Sequence, residues 1–253
     1  MSGNILITGI TGFLGRKLTE IIDEKKSYNI IGIYNSDRKY KIFKSKFPDI
    51  KCYKVNIANN NFEKNIDNIV IENKIDYIIH TAAMKYIDIC EDNPIETLKT
   101  NVFATNSIIN IAKKNLLQNV IVISTDKSNC PTNIYGMSKY IMEKIVLKNG
   151  FSIYQGVNFF GSDGSVIDIW EQQYKNNINL TITDLNCIRY FNNINHVASL
   201  ILVNLDSKSS IIIPDYVYQI SMKQLFECYC LFRKYNKSKI IGKFNYEKVI
   251  EDL

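Results

Sequence analysis

The chain has 253 residues, 46% of them hydrophobic and 22% charged, with a net charge of +6, enough apolar material for one full α/β domain with a sizeable core. Charges of both signs are interspersed, so the excess is a mild bias toward anionic small molecules and no nucleic-acid-binding tract stands out. Six cysteines (Cys52, Cys90, Cys130, Cys187, Cys228, Cys230) show no C-x-x-C pair and no metal-ligand spacing, which argues for reduced thiols in a cytoplasmic protein, and no apolar run reaches membrane-spanning length.

Asn4 to Thr8 reads as a short buried strand, which excludes a signal peptide at this end. Gly9-Ile-Thr-Gly12-Phe-Leu-Gly15 follows, then an amphipathic helix to about Lys25. Glycines here permit a tight turn and close backbone approach to a pyrophosphate, and the helix start offers unpaired N–H groups to phosphate. The spacing is G-x-x-G-x-x-G rather than G-x-G-x-x-G, yet its place after a first strand predicts dinucleotide binding. A second strand, Ile30 to Tyr34, ends in Asn35-Ser-Asp-Arg38. Asp37 suits ribose hydroxyls and hence NAD; Ser36 and Arg38 suit a 2′-phosphate, and the balance leans to NADP.

A third strand near Lys51 to Val55 leads to Asn56 and Ile57, placed to edge an adenine. A fourth, Asp76 to His80, ends in Thr81-Ala-Ala83, small enough for close approach to a cofactor. His80 reads as a satisfied strand-end side chain. A helix from about Pro94 to Lys114 carries Asn101, and the fifth strand, from Val120, stops at Ser124-Thr-Asp-Lys127. After a loop with Pro131, Tyr135 and Lys139 lie four apart at the start of a helix to about Lys148 and share one face. An ammonium one turn away is expected to lower the phenol's pKa, so that Tyr135 takes a hydroxyl proton while hydride leaves for a nicotinamide.

A sixth strand, about Ser152 to Val157, precedes a small-residue loop from Asn158 to Val166. Leu180 to Asp184 reads as a strand. Arg189 stands in a run poor in charge, either as a diphosphate clamp or in a local ion pair with Asp184. The rest is expected to hold a helix near Ile194 to Leu205, a strand at Ile211 to Ile213, a helix near Ser221 to Phe232, a strand at Lys239 to Ile241 and a final helical segment. Alternating strands and helices imply a doubly wound parallel sheet with ligands beyond the carboxyl ends of its strands.

The blocks TGITGFLG (8 to 15), HTAAMKYIDICEDNPIETLKTN (80 to 101), STDKSNCPTNIYGMSKYIMEK (124 to 144), FGSDGSV (160 to 166) and ITDLNCIRYF (182 to 191) resemble an extended short-chain dehydrogenase/reductase. More narrowly, they resemble the inverting, 5-epimerising UDP-N-acetylglucosamine 4,6-dehydratases. The likeness covers nearly the whole chain. Its most specific element is Thr125-Asp126-Lys127, where retaining sugar dehydratases usually present Asp-Glu after the threonine. It implies a Rossmann-type sheet formed by residues 1–157, with 187–213 returning to it, and a small C-terminal nucleotide-sugar lobe formed by 158–186 and 214–253. It further implies Tyr135 and Lys139 oxidising C4 with the nicotinamide, Lys127 as the base at C5, Asp126 as the acid at the C6 hydroxyl and Thr125 beside O4. Lys127 is then expected to need a depressed pKa, supplied by Lys139, the cofactor's charge and burial.

By the same likeness Gly9, Thr11, Gly12, Phe13, Leu14, Ser36, Asn56, Ile57, Ala82, Ala83 and Asn101 fall on the cofactor side, where the residue pattern itself puts Gly15 and Thr81. Lys85, Asn158, Ser165, Val166, Arg189 and Glu247 fall on the nucleotide-sugar side, and a homo-oligomer is implied through the helices near Pro94 to Lys114 and Tyr135 to Lys148. No metal and no membrane are expected. The arginines usual at Ser36, Asp163 and Phe244 are missing, which weakens the case for NADP and bears on which sugar nucleotide is accepted.

Overall fold

A computed structural model describes residues 3–59, 61–245 and 247–252. β1 (Asn4–Thr8), α1 (Phe13–Lys25), β2 (Asn29–Tyr34), α2 (Asp37–Lys46), β3 (Lys51–Lys54) and α3 (Phe62–Glu72) form the first half of the main sheet and its cover. β4 (Tyr77–His80), α4 (Ile87–Asp92), α5 (Pro94–Leu98), α6 (Ala104–Lys114), β5 (Asn119–Thr125), α7 (Ile134–Lys148) and β6 (Ser152–Gly156) form the second. β7 (Asn158–Phe159), α8 (Val166–Lys175), β8 (Leu180–Ile182), β9 (Ile188–Asn192), α9 (Ile194–Val203), β10 (Ile211–Ile212), β11 (Tyr218–Ser221), α10 (Met222–Arg233) and β12 (Ser238–Ile240) complete the chain.

The main sheet has seven parallel strands in the order β10-β6-β5-β4-β1-β2-β3. Alternation along β1 explains its two faces: Leu6 packs with Ile78, Val120 and Val122 against α3, α6 and α7. Ile5 and Ile7 pack with Ile79 and Ile121 against α1, Phe43 of α2 and Val197 and Ile201 of α9. Strands buried on both faces therefore read as unbroken apolar runs. The order reverses between β1 and β4, so a crevice opens beyond their carboxyl ends.

The second unit has its own core, in which Trp170 of α8 is fully buried against Leu180, Ile182, Leu225 and Tyr229. The Trp170 indole donates to the Thr181 carbonyl at 2.8 Å. β7, β9 and β11 make a three-stranded sheet, and β8 pairs with β12. Because β9 pairs with β7 and β11 and bridges Ile250, and with no described strand of the main sheet, the segment rejoining the main sheet is α9 and β10.

Other expectations shift as well. Helices α2, α3 and α8 occupy stretches in which the sequence suggested no helix. The helix expected over Pro94 to Lys114 is α5 and α6 joined by a π-helical segment, Lys99–Phe103. Among the described residues beyond β12 no helix forms, so the expected final helical segment is absent there. No described helix is long and apolar enough to cross a membrane.

Candidate active site

One cavity of about 1110 Å³ runs from the β1–α1 turn across the crevice to the second unit. At its near end Gly9 has φ +68°, and a Cβ there would lie 2.8 Å from Thr81 Oγ1 and 3.0 Å from the Ala82 nitrogen. A side chain at Gly15 would meet the Gly9 carbonyl oxygen at 2.5 Å. The turn therefore closes only with glycine, as tight packing of helix on strand requires. Gly12 caps α1 without a side-chain hydrogen bond, and Gly12, Phe13 and Leu14 at the helix start line the cavity while Leu18 and Ile22 are buried in the core. A helix start of this kind attracts phosphate, so the residues present fit a dinucleotide.

Of the predicted cofactor residues, Gly9, Thr11, Gly12, Phe13, Leu14, Ser36, Asn56, Ile57, Thr81, Ala82, Ala83, Tyr135 and Lys139 line this cavity, and Gly15, Asp37, Arg38 and Asn101 do not. Gly15 acts by packing. Ser36 caps α2, which turns Asp37 outward to pair with Lys54 and leaves Arg38 exposed. The residue that α2 turns toward the cavity is Lys39, which the sequence did not single out because the helix itself was not evident. Its ammonium lies 3.0 Å from Asp163 Oδ2, with Arg16 3.3 Å from the other oxygen. Burial pushes the Asp163 carboxyl up, but Lys39 and Arg16 together hold it below its ordinary range. Asn101 sits behind the wall: its amide accepts from the Met84 N–H at 2.8 Å and donates to the Met84 carbonyl and Ser138 Oγ at 2.9 and 3.0 Å. It ties the loop after β4 to α7.

At the centre, β5 delivers Thr125, and a 3₁₀ turn (Asp126–Ser128) delivers Asp126 and Lys127. Lys127 lines the cavity; Asp126, 3% exposed, lies beneath it and does not. Asp126 Oδ1 accepts from the Thr125 hydroxyl at 2.8 Å and pairs with Lys127 at 3.1 Å. Its Oδ2 is buried with no hydrogen-bond partner among the described residues. Such an oxygen is costly unless something meets it. Lys127 also touches Asn158 Oδ1 at 3.3 Å and Glu251 at 3.4 Å.

Asn133 caps α7 by accepting from the Gly136 N–H, setting Tyr135 and Lys139 on the inward face. The expected activation of the phenol by Lys139 is not found. Burial raises the Tyr135 phenol above its ordinary value, the Asp126 carboxylate adds to this, and the Thr125 hydroxyl opposes it. Lys139 instead donates to the Ile123 carbonyl at 2.6 Å. Burial brings its ammonium down to about 8, against the pull of Glu143 and Cys90. The charged side chains that Lys127 contacts are Asp126 and Glu251. His80 is buried with Nδ1 2.6 Å from Thr8 Oγ1, and burial, with Lys139, brings it down to about 3.

All six predicted nucleotide-sugar residues line the far end of the cavity. Ser165 caps α8, so that helix also points its start at the cavity. Lys85 donates to the Asp163 carbonyl at 2.7 Å. Arg189 pairs with Glu247 at 3.1 Å and lies 3.7 Å from Glu251, not with Asp184. Glu251, 6% exposed, thus stands between Arg189 and Lys127 in the cavity wall. It is remote in sequence from both, and no local pattern marks it. The six cysteines are free, and no cluster of potential metal ligands occurs among the described residues.

A parallel sheet in this strand order, with a glycine turn at the switch point and Tyr135 and Lys139 beside it, has the architecture of the extended short-chain dehydrogenase/reductases. The chain belongs to the polysaccharide biosynthesis protein family, whose model matches residues 5–253. It is 29% identical over 213 residues to the inverting UDP-N-acetylglucosamine 4,6-dehydratase of Campylobacter jejuni, a match covering 80% of this chain and 63% of that protein. The chain thus spans less than two thirds of that relative's length. It is also 29% identical over 269 residues to a UDP-glucose 4-epimerase of Rickettsia bellii, covering 98% of this chain and 76% of the relative. Among solved structures, Pen from Bacillus thuringiensis superposes with a TM-score of 0.88 at 27% identity, covering 98% of this chain and 82% of that one.

Proposed function

We propose that the chain is a nucleotide-sugar 4,6-dehydratase acting on UDP-N-acetylglucosamine with inversion at C5. The carrying observation is the Lys127–Asp126 pair, 3.1 Å apart, in and under the wall of a cavity shared with Tyr135. The β1–α1 turn and the residues at the β2 and β4 ends would hold a nicotinamide dinucleotide, which when bound would take hydride from C4 and return it to C6. Tyr135 takes the C4 hydroxyl proton. Lys127 takes the proton at C5, acidified by the new ketone, and Asp126 protonates the C6 oxygen so that it leaves as water. One proton passing from Lys127 to Asp126 across their contact turns an ion pair into the base and acid this elimination needs. A proton returned to C5 from the opposite face inverts that carbon. Arg189 and the start of α8 would hold the diphosphate.

A 4-epimerase is the second reading, favoured by Asp126 lying outside the cavity wall and by the epimerase relative that spans 98% of this chain. The two part in one experiment. Protein with its nicotinamide is incubated with UDP-N-acetylglucosamine in heavy water and the sugar is analysed by mass spectrometry and NMR. Loss of water with deuterium at C5 is expected; a sugar of unchanged mass epimerised at C4 sinks the dehydratase, and net consumption of NADPH points to a reductase.

We further infer NADP over NAD, from Lys39 rather than from Arg38. Lys39→Ala is expected to weaken NADP binding about tenfold or more, the worth of one charge-assisted contact, and to leave NAD binding alone. Fluorescence titration with the two dinucleotides checks it. A homodimer is proposed through Ile95, Phe103, Tyr140 and Ile141, apolar side chains exposed on α5, the π segment and α7; a sedimentation mass of one chain would rule it out.

A further inference from the structure

Glu143 lies four residues beyond Lys139, which lies four beyond Tyr135, so the three share one stripe of α7. Glu143 is 7% exposed. Its Oε1 lies 2.5 Å from Ser124 Oγ at the end of β5, 2.6 Å from Ser128 Oγ in the 3₁₀ turn, and 3.2 Å from Gln155 Nε2 on β6. Ser128 Oγ is also 2.6 Å from the Thr125 carbonyl, so its single hydroxyl proton is shared between that oxygen and Glu143. Ser124 and Ser128 bracket Thr125, Asp126 and Lys127 in the sequence.

We propose that Glu143 is a positioning residue of the reaction, whose one buried oxygen fastens both ends of the segment carrying Thr125, Asp126 and Lys127 to the helix carrying Tyr135 and Lys139. The proposal rests on the dehydratase reading only for the identity of the reaction. The physical need is general: the proton carriers sit on two elements, and reacting groups misplaced by about 1 Å can lose on the order of 10²-fold in rate. A carboxylate accepting several hydrogen bonds at once is a stiff joint, because charge-assisted bonds are about twice as strong as neutral ones.

The same carboxylate has an electrostatic consequence. Groups facing Lys139 are Glu143 on its own helix, Cys90 on α4 and His80 on β4. Burial pushes the Cys90 thiol up and His80 down, so at neutral pH both are uncharged. Glu143 is then the counter-charge that keeps the buried Lys139 ammonium from falling below about 8. The sign follows: without it, Lys139 loses its proton at lower pH, and any step needing the ammonium fades earlier as pH rises.

Glu143→Gln and Glu143→Ala separate placement from packing. Gln retains an acceptor at the joint, so about a tenfold loss in kcat is expected with KM within about twofold, whereas Ala should lose about 10²-fold. In both, the alkaline limb of the pH–rate profile should move to lower pH. Nitrogen NMR of lysine-labelled protein, with Lys139 assigned from a Lys139→Arg variant, should show the same downward shift of its titration midpoint without any turnover. Unchanged kcat per folded molecule, or an unmoved Lys139 midpoint in both variants, overturns the proposal. If the wild type shows no dehydration the function above fails by itself, and the NMR midpoint still decides the role of Glu143.

Discussion

Tyr135→Phe should cut turnover by about 10²–10⁴-fold, the range set by removal of a group that transfers a proton in the transition state. The phenol is the only group on the inward face of α7 both in the cavity wall and next to Thr125 and Asp126 in the electrostatics of the site. Phenylalanine keeps the ring's packing, so stability and dinucleotide affinity should stay near wild type. Lys127 makes a sharper contrast. Its removal leaves Asp126 buried without a cation and Glu251 with only Arg189 at 3.7 Å, which costs about 3–5 kcal/mol, so Lys127→Ala confuses folding with chemistry. Lys127→Arg retains the charge for both carboxylates but offers no practicable base, because guanidinium does not give up its proton near neutrality. Its stability should hold while dehydration and deuterium entry at C5 both disappear. A Lys127→Arg variant that still places deuterium at C5 would remove Lys127 from the mechanism. Retained turnover in Tyr135→Phe would do the same for Tyr135.

The parts of the fold that could be read from the sequence are those whose pattern has one physical cause. Strands β1, β4 and β5 are buried on both faces, so Ile5–Ile7 and Val120–Val122 stand out as apolar runs between turn residues. Helix α2 is hard to read from the sequence because six of its ten residues are charged and it buries only Phe43, although Tyr40, Phe43 and the flanking Phe47 recur at helical spacing. Which side chain faces the cavity, Lys39 rather than Arg38, depends on where that helix begins. The π segment at Lys99–Phe103 was likewise hidden, for its residues suit an ordinary helix, yet it fixes where Asn101 points. Contacts across long stretches of chain were beyond any local pattern. Arg189 has one carboxylate nearby in sequence, Asp184, but its partners are Glu247 and Glu251, brought in by the segment that follows β12. Asp126 follows directly on β5, and its depth behind Lys127 is a property of the 3₁₀ turn that spacing does not encode.

Gly136→Ala should disable the site from outside it. Alanine in the first turn of α7 ought to help by about 1 kcal/mol if helix propensity alone mattered. The geometry opposes this: a Cβ at Gly136 would stand 2.3 Å from the Lys127 carbonyl oxygen and 3.1 Å from Pro131 Cβ. The first obstacle is backbone, so no rotamer relieves it, and either α7 or the Asp126–Ser128 turn must move. Overpacking of this kind costs about 1–3 kcal/mol, which outweighs the propensity gain and sets the sign as destabilising. The displacement falls between Tyr135 and Lys127, adjacent to the clash on both sides, so a loss of about 10²-fold in turnover is expected. The Gly9–Gly15 turn lies on other elements and should bind dinucleotide as before. Thermal unfolding, turnover and dinucleotide titration on the same preparation check the three parts together. A raised Tm with undiminished turnover would mean that the close approach of helix and turn is not what sets the distance between the two halves of the site.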